Sequence, residues 1–152
     1  PGFTVSVCQC RPDSTGSVRI RSTDPTEAPR ITANYLLEER DLKTLVDGLR
    51  MCRDIYRQPA FAGRWVEEKL PGQTSLEDFA RRFGGTVFHP TSTCRMGSDT
   101  RAVVDPQLRV QGVSGLRVID ASVMPTITSG NTNTPTIMIA EKGAAMIVED
   151  HK

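Results

Sequence analysis

The sequence predicts an α+β fold: an antiparallel sheet covered by helices, then a long irregular arm and a C-terminal helix. Three observations lead there. Apolar and polar residues alternate with period two near the N-terminus. Two middle segments repeat apolar residues at helical spacing. Residues 86–135 are rich in Thr, Ser, Gly, Pro and Asn with little helical period, before a last apolar stretch. The 152 residues amount to one ordinary domain, and 38% apolar with 24% charged residues suffices for a core.

Val5 and Val7 alternate with Ser6 and Cys8, and Val18 and Ile20 alternate with Arg19 and Arg21. Between them Pro12-Asp13-Ser14-Thr15-Gly16 is a turn, so the spacing predicts a half-buried hairpin. Ser22-Thr23-Asp24-Pro25 is a second turn, and Arg30 to Asn34 reads as a short third strand. Leu42, Leu45, Val46, Leu49 and Cys52, extended by Ile55 and Tyr56, predict a helix limited by Pro59. A short amphipathic piece is expected around Phe61–Val66. Thr74-Ser75, followed by Glu77 and Asp78, is a capping signature for a helix buried through Leu76, Phe79, Ala80 and Phe83 and ended by Gly84-Gly85.

A short strand is expected at Thr86–Phe88, beside the sheet of residues 3–34. Two more, Leu108–Val110 and Leu116–Ile119, interrupt the arm. The last helix is expected from about Pro135 to Val148, capped by Thr134. Its small stripe of Ala140, Gly143, Ala144 and Ile147 calls for a closely packed partner.

Composition excludes several functions. Lys+Arg 19 against Asp+Glu 18 gives a net charge of +1, with no basic excess for nucleic acid. No apolar run approaches the roughly 20 residues of a membrane span, and nothing resembles a signal peptide. The four cysteines form no C-x-x-C, and the histidines are His89 and His151 alone, so no metal site is expected. The plain reading is four reduced thiols. A chain opening on Pro1 rather than Met reads as a processed or internal piece of something longer.

Two loops could carry chemistry. Phe88-His89-Pro90-Thr91-Ser92-Thr93-Cys94-Arg95-Met96-Gly97 sets the one internal histidine at a strand end, beside a proline. Ser129-Gly130-Asn131-Thr132-Asn133-Thr134-Pro135 runs into the last helix, whose free N–H groups favour a ligand that carries or develops negative charge. On residue types alone the bland readings stand beside these. A lone loop histidine is more often structural than catalytic. Asn before a helix is usually a cap or turn former, Asp120 could be a turn cap, and Met96 core filler.

The ordered run of motifs resembles one family. It comprises Phe88-His89-Pro90-x-x-Thr93-x-x-Met96-Gly97, Val104-Asp105-Pro106, Leu108-Arg109-Val110, Gly115 through Pro125, Gly130-Asn131-Thr132-Asn133-Thr134-Pro135-Thr136 and Met138 through Lys142. Arg11-Pro12-x-Ser14-x-Gly16 and Ser22-x-Asp24-Pro25 extend it towards the N-terminus. It resembles the C-terminal part of a glucose–methanol–choline (GMC) flavoprotein oxidoreductase, most of all the choline dehydrogenase and alcohol dehydrogenase branch.

The resemblance implies oxidation of an alcohol with hydride passed to N5 of FAD. It implies His89 as the base that accepts the hydroxyl proton, a role suited to imidazole near neutral pH. Asn131 matches a second catalytic position and would hydrogen-bond the substrate oxygen. Asn133 and Thr134 match positions at the flavin ring, Asp120 and Ala121 the segment beside the ribityl and pyrophosphate chain, and Phe88 a cofactor-side position. Residues 1–100 would then belong to the substrate-binding domain, and residues 101–152 would return to the FAD-binding domain.

No G-x-G-x-x-G fingerprint is present. The expected partner is therefore a missing N-terminal FAD-binding half, against which the arm and final helix would lie. The small-residue face of that helix could otherwise join copies in a homo-oligomer, and the fragment alone is expected to be inactive. By branch, a bacterial protein is expected, cytoplasmic or peripheral to the inner membrane. The alternative is a non-catalytic α+β binding or assembly module derived from the same domain; retention of both His89 and Asn131 in their motifs favours descent from a working site. A hydrolase lacks a G-x-S-x-G nucleophile.

Overall fold

The structure is a computed structural model that describes residues 2–152. Pro1 lies outside the described residues. The chain divides into two compact units, Pro1–Val87 and Phe88–Lys152. Its regular elements are β1 (Ser17–Arg19), β2 (Arg30–Thr32), α1 (Glu39–Tyr56), α2 (Leu76–Phe83) and α3 (Asn133–Asp150), with 3-10 turns at Pro59–Phe61 and Ala121–Val123.

The sheet is smaller than the alternation suggests. β1 and β2 pair antiparallel, with Val18 opposite Ile31. The segment around Val5 and Val7 joins no strand. Val7 instead rests on α1 at Gly48, where a Cβ would come within 2.4 Å of the valine Cγ1. The period-two pattern thus belongs to a strap laid on a helix and not to a strand pair. An edge-on aromatic contact fastens the strap to the end of α1, Phe3 to Tyr56 at 5.3 Å between ring centres, and Tyr56 also meets Phe61 of the following turn at 5.4 Å.

α1 begins at Glu39, with Glu39 and Asp41 in its first turn, where the helix dipole favours acids. Asp41 is buried at 1% exposure. Its carboxylate accepts from Asp13 N–H at 2.9 Å, Ser14 N–H at 2.7 Å and the Gln9 amide at 2.9 Å. This ties the turn after Pro12 to the helix, and the Ser14 hydroxyl adds a bond by accepting from Glu38 N–H at 3.1 Å. Burial pushes the Asp41 carboxyl up, but hydrogen bonds from Ser14, Asp13 and Gln9 outweigh it and hold the value at about 2.

α2 follows its capping signature. The Ser75 hydroxyl accepts from Asp78 N–H at 3.0 Å, and Gly84 N–H closes the helix on Ala80 O at 2.8 Å. Leu76 and Ala80 are buried, and α2 packs against α1, where Val46 is buried. The amphipathic piece at Phe61–Val66 is reduced to the 3-10 turn, and Val66 is exposed.

In the second unit the arm is irregular, as expected. Thr86–Phe88 forms no strand, because Phe88 sits in the left-handed region (φ 61°). Leu108–Val110 and Leu116–Ile119 are reduced to single bridges, Val104 to Val110 and Arg109 to Arg117. Leu108 is itself left-handed (φ 64°), which breaks extended pairing. The arm nevertheless builds a core. Val104, Leu108, Val123, Met124 and Ile139 are buried together, with Met96, Val110, Val118, Ile119 and Met146 packed around them. α3 enters this core through Ile139 and Gly143; a Cβ on Gly143 would lie 2.5 Å from Ile119 Cγ2, so glycine permits the close approach. Ala140 and Ala144 are exposed, as are Ile137, Met138 and Val148.

Candidate active site

Two backbone hydrogen bonds, one packing contact and one side-chain contact gather the motif loops of the second unit. Cys94 N–H donates to Ser122 O at 3.0 Å, and Met96 N–H to Val123 O at 2.8 Å. The 3-10 turn at Ala121–Val123 packs against α3. His89 Nδ1 lies 2.8 Å from Thr132 Oγ1. Thr132 stands between Asn131 and Asn133, so this contact brings His89 to the loop that carries both.

His89 is half-buried and Thr132 is buried. Backbone geometry constrains the histidine from both sides. Phe88 (φ 61°) and Ser92 (φ 73°) are left-handed although neither is glycine, and Pro90 follows directly. Such conformations cost on the order of 1–3 kcal/mol each and persist where the surroundings enforce them. The Phe88 ring itself is exposed.

Thr132 is the N-cap of α3 by position, but its side chain makes no capping bond. Its backbone is αR (φ −85°, ψ −5°), unlike the extended backbone of a capping residue. Its hydroxyl is turned to His89 instead. Thr132 O accepts from Thr136 N–H at 3.0 Å and from the Thr136 hydroxyl at 2.6 Å. The N–H groups of Asn133 and Thr134 precede the first intrahelical bond and have no side-chain cap. The helix begins at Asn133, one residue before the expected cap at Thr134.

Asp120 caps the turn after it: its Oδ1 accepts from Ser122 N–H at 2.7 Å. The turn-cap reading of the sequence is therefore realised, and Asp120 is exposed. Ala121 is half-buried against the core, while Asn131, Asn133 and Thr134 are exposed. Met96 is core, as its plain reading had it. Sequence reasoning did not single out Thr132; its place between two candidate asparagines was the available signal.

At the far end of α3, Arg109 pairs with Asp150 at 2.7 Å and Arg117 pairs with the same carboxylate. Hydrogen bonds from Arg109 and then Arg117 hold the Asp150 carboxyl below its ordinary value. No group of three or more potential metal-ligating residues occurs among the described residues, and no described helix is long and apolar enough to cross a membrane.

His89 is thus held by Thr132 at the start of α3, on a core that irregular chain builds. The chain belongs to the GMC oxidoreductase family, whose pattern matches residues 12–140. Among curated relatives it is 41% identical over 152 residues to the alcohol dehydrogenase [acceptor] of Pseudomonas putida, covering 97% of this chain and 28% of that protein. It is 46% identical over 151 residues to the oxygen-dependent choline dehydrogenase of Pseudomonas fluorescens, covering 96% of this chain and 27% of that protein. Among solved structures, pyridoxine 4-oxidase from Mesorbium loti superposes with a TM-score of 0.82 at 38% identity, over 90% of this chain and 28% of that one. A formate oxidase from Aspergillus oryzae gives 0.82 at 33%, over 92% of this chain and 26% of that one. The chain thus spans little more than a quarter of the relatives it matches.

Proposed function

We propose that this chain is the C-terminal part of an FAD-dependent alcohol dehydrogenase and supplies the substrate side of its active site, with His89 as the base. The observation that carries the reading is the pairing of His89 with Thr132 at the start of α3. His89 is half-buried, and Asn131, the chain neighbour of Thr132, is exposed.

The residues present fit a flavin. The uncapped N–H groups of Asn133 and Thr134 suit the electron-rich edge of an isoalloxazine ring. The carboxylate of Asp120 suits a ribityl hydroxyl, with Ala121 beside it. Phe88 offers an exposed ring to the cofactor side. When bound, FAD supplies the hydride acceptor.

His89 Nε2 accepts the substrate hydroxyl proton as the neighbouring C–H bond breaks, a contribution of ~10²–10⁴-fold. Asn131 donates its amide to the substrate oxygen and orients it. Since it cannot take up a proton, Asn131→Ala weakens substrate binding more than it slows the chemical step. Residues 1–100 serve the substrate-binding domain, and residues 101–152 return to the domain that holds the ADP half of FAD. That domain lies in the longer protein, and without it the fragment does not turn over. Choline and simple primary alcohols are the substrate classes, in keeping with the relatives' names.

The test is anaerobic addition of primary alcohols and of choline to the FAD-loaded full-length protein. Bleaching of the flavin by at least one of them is expected. A flavin that stays oxidised with every alcohol in the series contradicts the reading.

A further inference from the structure

We infer that Thr132 is a positioning residue that sets the tautomer of His89, holding the proton on Nδ1 so that Nε2 is the proton-accepting nitrogen. The inference rests on the reading of His89 as base and deepens it.

An imidazole can act as a base only through the nitrogen that lacks a proton. Which nitrogen that is depends on the partner of the other. Here Nδ1 is 2.8 Å from Thr132 Oγ1. Among the described residues no hydrogen-bond partner meets Nε2. A threonine hydroxyl can donate or accept. If it donates to Nδ1, the ring proton sits on Nε2 and the open nitrogen is no base. If it accepts from Nδ1–H, Nε2 presents its lone pair to the substrate.

Two features make this hydroxyl a fixed partner. Thr132 is 7% exposed, and its carbonyl is held by both the N–H and the hydroxyl of Thr136. β-Branching leaves its side chain few rotamers. The second feature is what the hydroxyl gives up. Threonine at an N-cap position ordinarily bonds a first-turn N–H, an interaction worth about 1 kcal/mol. This one makes no such bond and faces the histidine. The same choice leaves the N–H groups of Asn133 and Thr134 uncapped, so one side chain's orientation shapes both the base and the helix end beside it.

The experiment uses the ¹⁵N-histidine-labelled, FAD-loaded full-length protein and its variants His89→Gln, Thr132→Val and Thr132→Ser. The resonances absent from His89→Gln identify His89. In the wild type its neutral ring is expected to show a protonated, pyrrole-type Nδ1 and a pyridine-type Nε2. Thr132→Val keeps the side-chain shape and removes the hydroxyl. It should mix the two tautomers and slow flavin reduction by alcohol about 10- to 100-fold, the size of effect that loss of an orienting partner has on metal-ligating histidines. Flavin content should be unchanged. Thr132→Ser should restore both the tautomer and the rate.

An Nε2–H tautomer in the wild type overturns the inference. So does a Val variant that reduces its flavin slowly with an unchanged tautomer, since Thr132 would then act through packing alone. In both cases a slow His89→Gln variant leaves the base reading standing. A His89→Gln variant that reduces its flavin at the wild-type rate removes the base reading itself, and Thr132's role with it.

Discussion

Residues 2–87 contain both strands and two of the three helices, whereas residues 88–152 are irregular up to α3. Yet six of the nine buried apolar side chains among the described residues lie in the second unit. The first unit is closed largely by a polar anchor, with Asp41 holding the turn at Asp13 and Ser14, while Ile20, Ile31 and Leu37 stay exposed. The second closes on Val104, Leu108, Val123, Met124 and Ile139, and its loops converge on His89. Regular hydrogen bonding and close packing are separate sources of order. Leu108 keeps a left-handed backbone inside this packed core, a geometry that a strand ladder would forbid.

The contrast can be broken in three places. The largest effect on stability is expected in the second unit. Val104→Ala removes two methylene-sized groups from a fully buried position and should cost about 2–3 kcal/mol. Amide hydrogen exchange should localise the loss to residues 88–152. Uniform loss of protection across both units would contradict a self-contained second core.

Asp41→Asn should cost about 2 kcal/mol at neutral pH, the equivalent of a carboxyl held at about 2 instead of its ordinary 3.8. The sign follows from the lowered value. The stabilisation is complete above 3.8 and fades as pH falls towards 2. Denaturant melts of wild type and variant should therefore converge in that interval; a gap that persists at the lowest pH would mean packing, not charge, sets the effect. Smallest is Ser75→Ala, which removes the cap of α2 and should cost about 1 kcal/mol. An unchanged midpoint in a thermal melt would show that α2 is held by its contacts with α1 alone.

Much of the first unit's helical part was legible in sequence. Pro59, Ser75 and Gly84 end or begin helices by local chemistry, and a sequence states such rules directly. The strap at Val5 and Val7 was misread because period two does not say whether the partner is a strand or a helix; the signal for the helix was Gly48, about forty residues away. The strands at Phe88 and Leu108 failed because both residues are left-handed, a backbone state that a bulky residue type does not announce. Of the candidate site, His89, Asn131 and Asn133 stood out through their motif order. Thr132 did not, since a threonine before a helix looks like a cap, and only the structure turns its hydroxyl to the histidine.

The central claim is that residues 88–152 carry the chemistry and residues 2–87 support it. Single-turnover flavin reduction by alcohol in the FAD-loaded full-length protein tests this most directly, comparing His89→Gln with Asp41→Asn at a temperature where both remain folded. The account predicts a reduction rate ~10²–10⁴-fold below wild type for the first and a wild-type rate for the second. Equal losses in the two variants, or a wild-type rate in His89→Gln, would contradict it.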